Sequence, residues 1–204
     1  MYNINSALSV EKNTNNYLDA GIQENVKITE VRTDVSVNGN PFIEFTFKKM
    51  NGGSATHTEW EPKRFDQDTN DSFNLKCAKQ YARILQILGC FYSEEYLKSL
   101  DFNPATFAEL AKWTKEMLER ADLSKLLRVK FIYNESDFIS LPRYAKYVFI
   151  EPMTVKAEDS LIRILSIDKL QKSIKADVEV AGETAFAPDV NTSTKPENTS
   201  DLPF

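Results

Sequence analysis

The sequence predicts an α+β fold that is mainly β, in which a helical segment separates two groups of strands. Three observations support this prediction: period-two alternation between Asn25 and Lys63, helical periodicity from Lys76 to Leu118, and a return to alternation after Asp122. The chain has 204 residues, which suits one domain with appended segments or two small domains. Hydrophobic residues make up 42% of it, so a sizeable core can form.

The first group of strands is predicted to be an antiparallel meander of three. Its strands are separated by Asn38-Gly39 and Asn51-Gly52-Gly53, residues that favour the positive φ of tight hairpin turns. In the second strand, apolar side chains alternate with a second set that would form the opposite face of the sheet: Phe42, Glu44, Thr46 and Lys48. This pattern predicts a sheet that is buried on one face.

Two amphipathic helices are predicted within the inserted segment 73–122. In the first, apolar residues repeat at helical spacing from Cys77 to Leu88, and a basic stripe of Lys76, Lys79 and Arg83 lies on another face. We expect this stripe to be a solvated face. The second helix is expected to begin at Asn103-Pro104, an N-cap followed by proline at the first helical position.

Strand patterns return at 126–134, 145–155 and 160–167. Three strands, a helical segment and then two or three strands are the element order of an OB-fold, a small closed or partly open Greek-key barrel. The prediction is therefore an OB-fold-like β-barrel, with strands 1–3, two helices and strands 4–5 or 4–6. A mixed α+β sandwich with the same element order is the alternative.

The folded, OB-like domain is predicted to span 17–172. We expect the asparagine-rich segment 1–16 to be flexible. From residue 173 onward the apolar periodicity is lost, and such a composition cannot bury enough surface to offset its ordering entropy, so 173–204 is predicted to be a disordered tail. The tail is acidic and holds most of the net charge of −5, which leaves the folded part nearly neutral.

Sequence patterns for catalysis and metal binding are missing. The chain has no glycine-rich phosphate loop, no nucleophile elbow and no histidine-based metal motif, and its one histidine and two cysteines cannot make a usual zinc site. We therefore expect no enzymatic activity, no metal and no cofactor. Residues 1–16 lack a secretion signal, and no apolar run approaches the ~20 residues that cross a bilayer, so a cytoplasmic location is expected.

Basic and aromatic residues are interleaved in a way that favours nucleic-acid binding, because cations contact phosphates while rings stack on bases at ~1–3 kcal/mol each. One group comprises Arg128, Lys130, Arg143, Tyr144, Lys146 and Tyr147, and a second comprises Lys48, Lys63 and Arg64. Phe42 and Trp60 are the first aromatic candidates, since Phe42 points away from the apolar face of its strand. Trp60 would equally suit closure of the barrel, and each candidate taken singly also fits a core aromatic or a solvated cation.

The end of the sequence, Asp201-Leu202-Pro203-Phe204, resembles the C-terminal tip of bacterial single-stranded DNA-binding proteins, which ends in an acidic run followed by Ile-Pro-Phe. Here only Asp201 adjoins the apolar residues. The helical insertion and the stretches "YLDAGIQENVKITEV" and "LPRYAKYVFIEP" are similar to phage-encoded members of this class. The resemblance implies that these four residues bind replication, recombination or repair proteins.

Together these observations predict a non-enzymatic protein that binds and protects single-stranded DNA without strong sequence preference, in the bacterial host cytoplasm if it is phage-encoded. The alternative is a protein-interaction adaptor of the replication or transcription machinery, which the nearly neutral charge of the folded part would suit. Binding of RNA is a third possibility.

Overall fold

A six-stranded sheet, in which neighbouring strands pair antiparallel, is the framework of the computed structural model, which describes residues 17–50 and 52–173. Three strands come first: β1 (Gly21–Val35), β2 (Pro41–Lys49) and β3 (Ser54–Trp60). Three helices follow: α1 (Asn70–Leu88), α2 (Glu94–Ser99) and α3 (Phe107–Glu119). The chain then forms β4 (Leu127–Tyr133), β5 (Ile139–Ser140), β6 (Ile150–Pro152) and a 3₁₀ turn at Ala157–Asp159. The predicted α+β class is confirmed.

The sheet is open, with strand order β3-β2-β1-β4-β5 and with β6 paired to β4. β1 is 15 residues long and pairs with both β2 and β4. Its register shifts between Ile28 and Glu30 and between Gln23 and Val26, and irregularities of this kind bend a strand. β3 and β5 are the two ends of the sheet, and no backbone ladder joins them within the described residues. The sheet is therefore not closed as a barrel.

Both predicted turns in the first meander are present. Gly39 has φ 75° and donates its N–H to the carbonyl of Ser36, while the N–H of Ser36 donates to the carbonyl of Asn40. Gly52 and Gly53 also have positive φ, at 98° and 86°. A residue with a Cβ would be strained in these conformations, which explains why glycine occupies these positions in both turns.

The core lies between one face of the sheet and the helices. Ile43, Phe45 and Phe47 of β2 are fully buried, as their alternation predicts, and they share one cluster with Ile84 of α1 and Leu118 of α3. The predicted half-buried sheet is thus confirmed, and the second face of β2 lies on the outside of the fold.

The helical segment differs from the prediction in three respects. α1 begins at Asn70, before the periodicity that starts at Lys76, because the side chain of Thr69 caps the helix by accepting the N–H of Ser72. The short helix α2 was not predicted. α3 begins at Phe107 instead of Asn103-Pro104, because the side chain of Thr106 accepts the N–H of Glu109 and is the N-cap.

The late strands are shorter than the alternation predicts. Only 150–152 of the predicted strand 145–155 pairs with β4, since the preceding residues are bound to α1 instead. The predicted strand 160–167 is irregular chain, in which Arg163 donates to the carbonyls of Ser160 and Ile162. β5 lies between the segments 126–134 and 145–155, where the pattern predicts no strand.

The described residues belong to one compact unit that ends at Ser173. No helix among them combines the length and apolar character needed to cross a bilayer. The predictions for 1–16 and for residues beyond 173, including the tip at Asp201-Leu202-Pro203-Phe204, lie outside the described residues.

Candidate nucleic-acid interface

The two cations predicted on β4 are buried. The guanidinium of Arg128 pairs with Glu24 at 2.9 Å and with Glu151. The Nζ of Lys130, which is fully buried, donates to Oδ2 of Asp168 at 2.7 Å and to the carbonyl of Arg163 at 2.6 Å. Carboxylates neutralise both charges and neither side chain is open to solvent, so neither can serve the phosphate-binding role predicted from the sequence.

Tyr144 belongs to the same buried network. Its hydroxyl donates to Oδ1 of Asp168 at 2.9 Å, and Lys130 lies 5.0 Å from its ring centroid. Burial, followed by the neighbouring carboxylate, raises the pKa of Tyr144. Burial also opposes ionisation of Asp168, but the hydrogen bonds from Lys130, the N–H of Leu165 and Tyr144 outweigh it and hold the pKa of Asp168 below its usual value. Tyr144 thus anchors the fold, and its predicted base-stacking role is not supported.

Phe42 and Trp60 are register partners at one end of the β2–β3 hairpin, with ring centroids 5.0 Å apart. Phe42 is buried beneath this contact and beneath the guanidinium of Arg32, which lies 5.1 Å from its ring. Trp60, by contrast, is 44% exposed. The strand pattern predicts an outward-pointing ring for Phe42 and leaves Trp60 open, but in the structure only Trp60 offers an exposed ring to a base. Phe42 supports that ring from below.

A cavity of about 380 Å³, which we call the α1 cavity, opens beside Trp60. It lies between β3, α1 and the chain after β5, and four cations line it: Lys76, Lys79, Arg83 and Arg143. Lys76 is paired with Asp68 at 2.6 Å. In the part of the chain that the structure describes, the side chains of Lys79 and Arg143 have no ion pair or hydrogen bond. The α1 cavity is therefore lined by two free cations and an exposed tryptophan.

Glu59, at the bottom of this cavity, is buried but fully compensated. Its carboxylate accepts two hydrogen bonds from Arg83, at 2.7 and 2.6 Å, and one from Gln80 at 2.9 Å. The Nε2 of His57 lies 3.1 Å from it, while Nδ1 faces the N–H of Leu141. Burial by itself would raise the pKa of Glu59, but the hydrogen bonds from His57 and Arg83 hold it well below its usual range. The negative charge of Glu59 is thus offset inside the protein.

The chain from Arg143 to Tyr147 is bound to α1 along its backbone. Arg83 donates to the carbonyl of Arg143 at 2.8 Å, and Gln86 donates to the carbonyls of Ala145 and Tyr147 at 3.0 and 3.3 Å. These bonds leave the side chains of Lys146 and Tyr147 exposed, with Nζ of Lys146 5.7 Å from the tyrosine ring. The predicted residues Arg143, Lys146 and Tyr147 are therefore accessible next to α1.

The second predicted basic group is divided. Lys63 and Arg64 are exposed directly after Pro62, which lines the α1 cavity. Lys48 is also exposed, but it lies six residues from Phe42 along β2, about 20 Å at the usual rise of a strand. It pairs in register with Ser54, at the opposite end of the hairpin.

A second depression, which we call the β3 groove, has a volume of about 550 Å³ and shares Thr58 with the α1 cavity. Three aromatic residues line it: Tyr17 (73% exposed), Phe138 (69% exposed) and Tyr133. Its carboxylates include Glu44 and Asp137, which Arg32 and Lys169 neutralise at 2.6 Å each. The groove is thus rich in rings and has no surplus of cations.

Sequence reasoning missed several residues of this surface. Lys79 and Arg83 were recognised as a basic stripe but assigned to solvent, because nothing in their spacing showed that Trp60 and Arg143 would lie beside them. Tyr17 and Phe138 fall outside any amphipathic pattern. Comparison of the chain with protein-family models, curated proteins and solved structures gave no match.

Proposed function

We propose that this protein binds single-stranded DNA on the outer face of β2 and β3. The observation that carries the proposal is the exposed ring of Trp60, which rests on Phe42 and lines the cationic α1 cavity, two residues along β3 from Thr58, where that cavity meets the aromatic β3 groove. Because the two depressions share Thr58, one strand can lie along both. Exposed rings along a groove suit single-stranded DNA, because its bases are free to stack on aromatic side chains. In a duplex the bases stack on one another, and their faces are not accessible to side chains.

The strand order supports an OB-like interpretation of the sheet. An OB barrel cut open between its third and fifth strands has the order 3-2-1-4-5, which is the order of this sheet, and the helices lie between β3 and β4 as in that fold. The side chain of His57 on β3 bridges this opening, since its Nδ1 lies 2.9 Å from the hydroxyl of Ser140 on β5. OB domains bind oligonucleotides on the face of strands 2 and 3, where Trp60 and Thr58 lie here.

We expect the binding to show little preference for base sequence, because every base has a face that can stack on Trp60, Tyr17 or Phe138. Its role would be to cover strands exposed during DNA replication, recombination and repair, as the resemblance of the tip implies. In this proposal Asp201-Leu202-Pro203-Phe204 contact the partner proteins of those processes. The second candidate, an interaction adaptor, is favoured by the near balance of charge in the β3 groove, which a protein partner tolerates better than a polyphosphate does.

The experiment that tests the proposal is fluorescence anisotropy of labelled single-stranded and duplex oligonucleotides, titrated with the full chain at two salt concentrations. We expect tighter binding to the single strand, weakened by salt. A version lacking 197–204 should bind DNA at least as tightly, since the tip is proposed to contact proteins. Equal affinity for duplex, or no binding to oligo-dT at low salt, would refute the proposal and favour the adaptor.

A further inference from the structure

The β3 groove offers aromatic rings to the bases of a bound strand but no net positive charge to its phosphates. Asp19, Glu44 and Asp137 line it against a single lysine, Lys172. Even with the paired Arg32 and Lys169 counted, the positive and negative charges are only balanced. The whole chain has a net charge of −5, so its overall field does not attract a polyanion. A bound strand therefore needs a local set of free cations elsewhere.

The α1 cavity adjoins the stacking face and is lined by such cations. Lys79 comes from α1 and Arg143 from the chain after β5, and both line the cavity that Trp60 also lines. Arg83 is held in place by its two bonds to Glu59 and by its bond to the carbonyl of Arg143. This last bond fixes the backbone of Arg143 against α1. The cavity thus has a rigid wall and two unpaired charges.

The composition of the cavity favours a phosphate over a base. Its one buried carboxylate, Glu59, already accepts from Arg83 and Gln80, so it adds little repulsion. Asp68 is bound to Lys76, which leaves Glu61 as the exposed carboxylate among the lining residues. The four cations of the cavity lining and the three carboxylates Glu59, Glu61 and Asp68 leave one net positive charge, and the two free cations line the same cavity as Trp60.

We propose that Lys79 and Arg143 hold a phosphodiester of the bound strand, next to the base that stacks on Trp60. This inference rests on the proposed function and deepens it. It assigns to α1, in the helical insertion, a direct part in DNA binding, and it places the main salt-sensitive contact at the Trp60 end of the strand path. Arg83 is a positioning residue here, because its charge is used by Glu59.

The test compares two double variants of the full chain that lose the same charge. Lys79→Gln with Arg143→Gln removes the proposed contact, while Lys112→Gln with Lys115→Gln removes two lysines of α3 that line neither depression. The affinity of each variant for a fifteen-nucleotide oligo-dT is measured by anisotropy at salt concentrations from about 50 to 200 mM. Far-UV circular dichroism checks that both variants are folded.

We expect the slope of log affinity against log salt to become shallower by about 0.7 in the first variant, since the two cations neutralise one phosphate and each neutralised phosphate on a single strand is worth ~0.7. The α3 variant should keep the slope of the unchanged protein. An unchanged slope in the first variant, or an equal fall in both, would overturn the inference while leaving the proposed function intact. Failure of the unchanged protein to bind would overturn both.

Discussion

Two pairs of cations occupy opposite situations in this fold. Arg128 and Lys130 on β4 are buried and neutralised by carboxylates. Lys79 and Arg143, beside Trp60, face an open cavity and have no ion pair within the described residues. In the sequence the four look alike, since each is a cation near aromatic or apolar residues. The difference lies in what the rest of the chain places over them.

The cover over the β4 pair comes from parts of the chain far away in sequence. Glu24 precedes Arg128 by 104 residues, and Asp168 follows Lys130 by 38. The irregular chain after β6 brings Asp168 onto the face of β4 that period-two alternation assigns to solvent. A basic residue on the polar face of a strand is therefore a binding candidate only when no later segment packs on that face.

The largest effect is expected from breaking the Lys130–Asp168 pair. Lys130→Ala leaves a buried carboxylate without its partner, which costs about 3–5 kcal/mol of unfolding free energy. Urea denaturation followed by circular dichroism measures it. The double change Lys130→Met with Asp168→Leu removes both charges and should recover most of the loss. A loss below about 1 kcal/mol for Lys130→Ala would show that this pair is solvated like the exposed cations.

Arg83 connects the two situations, because it lines the α1 cavity while Glu59 neutralises it. Glu59→Gln should cost about 1.5–3 kcal/mol at neutral pH, the usual value of hydrogen bonds to charged groups. The pKa of Glu59 is lowered in the folded state, so its stabilisation is complete above the unfolded value of about 4.3 and is lost as the pH falls further. Urea denaturation at pH 7 and in steps below pH 4.5 tests this.

The stability difference between the unchanged protein and Glu59→Gln should narrow on the acid side. Glu61→Gln, which changes an exposed carboxylate two residues away, is the matched control. It should leave the pH dependence of the unfolding free energy below pH 4.5 unchanged. If the difference in unfolding free energy between the two proteins stays constant down to the lowest pH, the ionised carboxylate of Glu59 is not stabilised by Arg83 and His57.

Trp60→Ala tests the accessible side of the comparison. Loss of one stacking platform should weaken binding of oligo-dT by about 1–3 kcal/mol, as read by anisotropy. Tyr96 on α2 is 46% exposed and lies outside both depressions, so Tyr96→Ala is the control. Trp60→Phe should retain part of the affinity. Equal affinity for Trp60→Ala and the unchanged protein would remove the observation on which the proposed function rests.

The fold was predictable where local patterns decide it. The alternation of β2 gave the buried face correctly, and glycines marked both hairpin turns. The helix starts were missed because the sequence does not show which hydroxyl accepts an N–H of the first turn. In the structure Thr69 and Thr106 do so and are the N-caps. The open sheet was not predictable either, since pairing between β3 and β5 depends on contacts between residues more than eighty positions apart, such as His57 and Ser140.

The candidate site was predicted in part, for a related reason. The exposed ring of Trp60 follows from its place on the outer face of β3, and Arg143 is exposed as expected. The sequence could not show that α1 would lie beside them. Helical periodicity identifies a basic face on α1 but says nothing about its neighbours, which the bonds from Arg83 and Gln86 to the chain after β5 determine.

The smallest effect is expected at Lys48, the predicted cation at the far end of the hairpin. It adjoins Ser54, which lines the β3 groove, about 20 Å along the strand from Phe42 at the usual rise. A strand long enough to fill both depressions reaches Lys48, whereas a trinucleotide held at Trp60 does not. Lys48→Gln should therefore make the slope of log affinity against log salt shallower by less than about 0.7 for a fifteen-nucleotide oligo-dT, and should leave the slope for a trinucleotide unchanged. A loss larger than that of the Lys79 and Arg143 double variant would place the main phosphate contact at the Lys48 end, and the free cations beside Trp60 would then be solvated surface residues after all.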